Sequence, residues 1–150
     1  METEAKYYTP NLEEFFVGFE YEIIYEDEPP KAYEFDITDM LYAQSPETEE
    51  SFGGICSKIE NKQVRVKYLD SKDIEELGGV KISDHEYNIN GCILQINCSD
   101  STHITILEIR QEWEMTAIPS KTAEYYFPLF MGKIKNKSEL KQVLKMIGVQ

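Results

Sequence analysis

Apolar and polar residues alternate most clearly near the start of the chain. Phe19, Tyr21, Ile23 and Tyr25 interleave with Glu20, Glu22, Ile24 and Glu26, the period-2 pattern of a half-buried strand. Asp27-Glu28-Pro29-Pro30 is a turn. Tyr33, Phe35 and Ile37, alternating with Glu34 and Asp36, then form a returning strand. The pattern predicts a hairpin with one aromatic face and one carboxylate face. Ahead of it, Asn11 caps a short helical turn with acids in its first turn, and Gly18 breaks it.

Residues 43–54 (AQSPETEESFGG) are polar and glycine-rich and read as a surface loop. A strand centred on Val64–Leu69 follows. Asp70 or Ser71 caps a short helix, Lys72–Leu77, stopped by Gly78-Gly79. Asn90-Gly91 between Tyr87–Ile89 and Cys92–Cys98 favours a type I′ hairpin, and His103–Arg110 completes a three-stranded antiparallel meander. Trp113 and Met115 continue the apolar rhythm to Pro119. Tyr125–Phe130 reads as an edge strand, since Pro128 cannot donate to a ladder. Leu140, Val143, Leu144 and Ile147 fall on one face of a final helix, with Ser138 as N-cap and Gly148 as stop.

No internal repeat or linker is visible. The expected architecture is a β-rich α+β single domain over 1–150, an antiparallel sheet with short helices and a C-terminal helix packed on it. Its parts are an acidic hairpin region (1–50), a β-rich body (51–135) and the helix (136–148).

Charge changes this picture. The 150 residues hold 28 Asp+Glu against 15 Lys+Arg, a net charge of −13. Residues 1–50 carry 15 acidic and two basic residues, whereas residues 51–150 carry 13 of each sign. Residues 121–150 hold six lysines against Glu124 and Glu139. A field of this sign excludes broad electrostatic binding of nucleic acid or anionic membrane. A small anionic ligand on the neutral body stays open. The uneven charge also makes self-association into a homo-oligomer feasible.

No apolar run approaches the roughly 20 residues of a membrane span, and no signal segment is expected. Cys56, Cys92 and Cys98 are an odd set for a disulfide scaffold, so buried free thiols in a reducing cytoplasm are expected. Cys92 and Cys98 share a strand face by parity. With only His85 and His103 to assist them, no metal site is expected.

Catalytic signatures are lacking. There is no G-x-S-x-G elbow, and Gly53-Gly54 and Gly78-Gly79 are isolated pairs rather than phosphate-cradling loops. Two constellations remain. Glu20, Glu22, Glu26, Glu34 and Asp36 gather carboxylates on the hairpin, suited to a divalent cation, a basic protein partner, or the chain's own lysine-rich end. Arg65, Lys67 and Arg110, strand-borne cations, with Trp113, Tyr125 and Tyr126, suit a purine-phosphate ligand: the ring stacks and the cation meets the phosphate.

Three segments, YYTPNLEEFFVGFEYE, VRVKYLDSKDIEELG and LFMGKIKNKSELKQVLKMIG, together resemble a group of small uncharacterised proteins encoded by phages and prophages of gut Bacteroidota. The resemblance implies an accessory, counter-defence protein in the cytoplasm of an infected bacterium, and it supplies no catalytic motif. Two stoichiometric functions fit, neither enzymatic nor needing a cofactor. The chain could sequester a nucleotide-type immune signal on its neutral body, the favoured reading because the excess charge is confined to the first third. Alternatively, the acidic third imitates nucleic acid and blocks a host DNA- or RNA-binding defence protein.

Overall fold

A computed structural model describes residues 5–36, 38, 52–100, 103–112 and 126–149. The fold is α+β with antiparallel sheets, as the pattern predicts. The strands, however, divide between two sheets in two compact units, one from Lys6 to Lys67 and one from Tyr68 onward.

In the first unit, β1 (Tyr7–Tyr8), β2 (Glu20–Ile23), β3 (Lys31–Glu34) and β4 (Val64–Lys67) form a four-stranded sheet in the order β1-β4-β2-β3. The predicted hairpin is β2–β3. Its register pairs Glu20 with Glu34, Tyr21 with Tyr33, Glu22 with Ala32 and Ile23 with Lys31. A bulge precedes it: Gly18 N–H donates to the Phe35 carbonyl at 2.7 Å, and Phe35 N–H donates to the Phe19 carbonyl at 2.9 Å. Gly18 holds φ +95°, a conformation that side-chain-bearing residues rarely adopt.

The loop expected over 43–54 is corrected at its end, because helix α1 occupies Phe52–Glu60; residues 43–51 lie outside the described residues. Ile55 and Ile59, one turn apart, reach the core from α1. There they meet Phe19, Tyr21, Ile23, Phe35, Val64 and Val66. Phe15 closes this core, its ring 4.8 Å from Phe19, 5.3 Å from Tyr21 and 5.5 Å from Phe35.

The second unit is a five-stranded meander of β5 (Val80–Ser83), β6 (Glu86–Ile89), β7 (Cys92–Asp100), β8 (His103–Glu112) and β9 (Tyr126–Ile134), in that order. Asn90 (φ 48°) and Gly91 (φ 86°) make the positive-φ turn that the dipeptide predicted. β9 is an edge strand, with Pro128 in register with Arg110. Beyond the Ile106–Ile134 pair the backbone of Leu69 bridges β8 and β9: its N–H donates to the Lys135 carbonyl, and its carbonyl accepts from Ile104 N–H, both at 2.7 Å.

Two helices cover one face. In α2 (Ser71–Glu76), Asp70 is the N-cap, and Asp70 and Asp73 each accept the other's backbone N–H, at 3.0 and 3.1 Å. Gly78 N–H to the Glu75 carbonyl and Gly79 N–H to the Ile74 carbonyl close the helix. In α3 (Lys137–Met146), Leu140 and Leu144 are buried against Ile106, Ile109 and Ile134. The cap lies two residues earlier than predicted. Asn136, not Ser138, accepts Glu139 N–H at 2.9 Å, while Glu139 accepts Lys135 N–H at 2.9 Å.

The thiol expectation is corrected in part: Cys92 is buried, Cys56 is half-buried and Cys98 is exposed. Cys98 lies beyond Ile96, the last β7 residue in the core. No helix among the described residues is long and apolar enough to cross a membrane.

Candidate functional site

The four-stranded sheet has one face in the core and one polar face. On β4, Val64 and Val66 are buried, so alternation turns Arg65 and Lys67 to the opposite side. On β2, burial of Tyr21 and Ile23 places Glu20 and Glu22 there. Register adds the rest: Tyr7 lies opposite Lys67, Ala32 opposite Glu22, and Glu34 opposite Glu20. One face therefore carries a cation–aromatic half (Tyr7, Arg65, Lys67) and a carboxylate half (Glu20, Glu22, Glu34).

The halves meet at Arg65. Its Nε donates to Glu22 Oε2 at 2.7 Å, and its guanidinium carbon sits 3.8 Å from the Tyr7 ring centroid. Glu22 and Arg65 side chains remain 29% and 31% exposed, so the pair contributes about 1 kcal/mol at most, with the ring adding about 0.5–1 kcal/mol. Arg65 thereby offsets Glu22.

Glu20 and Glu34 face each other directly. The Phe35–Phe19 bond sets the phase of the hairpin: Phe35, Tyr33 and Lys31 aim their backbone groups at β2, and Glu34 and Ala32 aim theirs away. Glu20–Glu34 is thus a non-hydrogen-bonded pair, the closer of the two kinds, and like charges so placed destabilise by about 0.2–1 kcal/mol.

The two other predicted carboxylates lie outside the paired strands. Glu26 is exposed in the β2–β3 connection, because the β2–β3 ladder ends at Ile23–Lys31. Asp36 follows β3 and is exposed, its Oδ1 accepting Thr38 N–H at 2.6 Å as well as the Thr38 hydroxyl. Among the described residues no three His, Cys, Asp or Glu side chains gather as metal ligands do.

The predicted anion-binding set is divided. Arg65 and Lys67 belong to the first unit and Arg110 to the second. Arg110 Nη2 donates to Glu86 Oε1 at 2.6 Å, with its side chain only 13% exposed. Tyr126 opens β9 in register with Glu112; Trp113 and Tyr125 lie outside the described residues. Sequence reasoning missed Tyr7 and Glu86. The only sequence signal for Tyr7 was its place in an aromatic pair. Glu86 carried none, standing 24 positions from Arg110.

At the hairpin tip, the Tyr25 and Tyr33 hydroxyls lie 2.9 Å apart, and that hydrogen bond, ahead of desolvation, pushes the Tyr25 phenol up. Lys31 Nζ sits 2.5 Å from Glu28 and 5.2 Å from the Tyr25 ring centroid, and the Glu28 hydrogen bond raises its pKa. Both groups keep their ordinary neutral and cationic forms at neutral pH.

No family model, curated protein or solved structure matches the chain.

Proposed function

We propose that the chain acts stoichiometrically as an acidic binding protein. Its four-stranded sheet docks on a basic surface of another protein, of the kind that otherwise holds nucleic acid. The observation that carries this reading is the gathering of Glu20, Glu22 and Glu34 by strand register on one polar face of the sheet. Residues 6–67 hold 14 acidic and six basic residues, so the field around this face is negative. Such a field speeds encounter with a cationic groove and disfavours nucleic acid competing for the same place. The resemblance to phage and prophage proteins gives the context: counter-defence in the cytoplasm of an infected bacterium, with a host nucleic-acid-binding defence protein as target.

Competition is the test. The chain should displace labelled duplex from a purified target at near-equimolar ratio, less effectively as salt rises, and the triple variant Glu20→Lys, Glu22→Lys, Glu34→Lys should lose that capacity. Equal displacement by wild type and variant would sink the reading.

A second reading rests on the Tyr7–Arg65 stack with Lys67 in register beside it. These groups suit a nucleotide-type signal, although a phosphate must compete with Glu22 for Arg65. A cyclic or ADP-ribose-type nucleotide that binds there raises the melting temperature by mass action, and Arg65→Ala abolishes the shift. A shift that survives Arg65→Ala excludes this site.

A further inference from the structure

Resting on the acidic-face reading, we infer that the open edge of β3 takes up an extended basic segment of the partner as a fifth, antiparallel strand, with lysine or arginine alternating with apolar residues. β3 is the last strand of its sheet among the described residues, and all four of its residues are exposed. The hairpin phase sends the N–H and C=O groups of Ala32 and Glu34 outward, the unpaired row that strand addition uses.

Among the described residues the opposite edge of this sheet, β1, is only two residues long, and both edges of the other sheet carry devices that discourage pairing. β5 has Lys81 at its middle and a bulge between Lys81 and Ser83, and β9 has Pro128. The one lysine of β3, Lys31, is drawn to the hairpin tip by Glu28.

Chemistry on the two faces selects the occupant. Residues of an added strand opposite Ala32 and Glu34 point to the Glu20–Glu34 side and meet carboxylates. Residues opposite Tyr33 point to the other side, where its ring, 38% exposed, stacks on Tyr21 at 5.8 Å. That alternation asks for a cation at every second position and an apolar group between. A second copy of β3 is disfavoured, since it would bring two Glu20–Glu34 pairs together.

The test uses an end-blocked octapeptide of alternating lysine and valine, an isomer with four lysines followed by four valines, and the alternating peptide N-methylated at its lysines. The alternating peptide should bind best, and N-methylation should weaken it about tenfold by removing the amides that face β3. At saturation, amide exchange at Ala32 and Glu34 should slow at least about tenfold, with no change at Lys81 on the β5 edge. Ala32→Pro, which removes only an outward N–H, should fold and lose the preference for the alternating peptide.

No binding, or binding that leaves the Ala32 and Glu34 amides unprotected, overturns strand addition. If that unprotected binding is still lost in the triple charge-reversal variant, the acidic face survives as a docking site without a strand. If protection is present but charge reversal leaves affinity unchanged, the acidic-face reading fails, and this basic-segment inference fails with it. Concentration-dependent dimerisation that protects the same amides without peptide assigns the edge to a second copy instead, and also overturns the proposal.

Discussion

Glu34→Gln should stabilise the first unit while weakening its hold on a basic partner. The substitution keeps shape and removes one charge from the Glu20–Glu34 pair. Opposed residues at a non-hydrogen-bonded position have Cα atoms about 4.5 Å apart, which puts their carboxylates at roughly 6 Å. Two charges at that distance repel by about 0.7 kcal/mol in a water-like dielectric, and less at physiological salt. The expected gain is therefore about 0.3–0.7 kcal/mol at low salt, falling toward zero near 0.5 M. Amide exchange at Tyr21 and Ile23 under increasing urea reads it locally, without assuming that both units unfold together. In a Glu20→Gln background the gain from Glu34→Gln should shrink, so the two changes should not be additive, since either alone relieves the same repulsion. A stabilisation that ignores salt, or a strictly additive double variant, would refute the argument, because Coulomb repulsion between these two groups predicts neither.

Gly79→Ala should cost about 1–3 kcal/mol by thermal denaturation, because the added Cβ would lie 2.4 Å from Ile74 Cγ2 and 2.7 Å from the Ile74 carbonyl oxygen. Asn136→Ala should cost about 1 kcal/mol, read as lost exchange protection in the first turn of α3, because it removes the acceptor for Glu139 N–H. Burial pushes the Cys92 thiol and the Tyr87 phenol up, so folding favours their neutral forms. That stability is fully present below the unfolded-state values, about 8.5 and 10, and is lost as pH rises through the raised folded-state ones. Urea midpoints for the second unit should accordingly fall above about pH 9, with a shallower decline in Tyr87→Phe. A thiol reagent at neutral pH should label exposed Cys98 well before buried Cys92.

Local chemistry made several elements legible. Asn90-Gly91 takes the positive φ values that a two-residue hairpin demands, and Asp70 caps a helix that Gly78-Gly79 ends. Leu140 and Leu144 bury the face that their spacing announced. The misses have physical causes. Gly53-Gly54 lowers helix propensity enough to hide α1, although Phe52, Ile55, Cys56 and Ile59 carry helical spacing. β5 alternates apolar and polar residues over only four positions directly after the Gly78-Gly79 stop, too short a run to read as a strand, and its Val80 and Ile82 stay exposed. Asn136 and Ser138 are both good caps by type, and only the geometry around Glu139 chooses between them.

The candidate face divides in the same way. Alternation alone separated Glu20 and Glu22 from Tyr21 and Ile23, and Arg65 and Lys67 from Val64 and Val66, because strand parity is a local property. Which strands lie side by side is not. Glu22 and Arg65 stand 43 positions apart, and only the order β1-β4-β2-β3 brings them into contact and lays Tyr7 against the guanidinium. The same order leaves β3 at an edge and sets Glu20 against Glu34. By itself the sequence determined strand faces, turns, caps and the location of the negative charge, since each depends on neighbours a few bonds away. Tertiary structure decided which charges are offset, which oppose each other and which backbone groups stay open, since these depend on residues that only folding brings together.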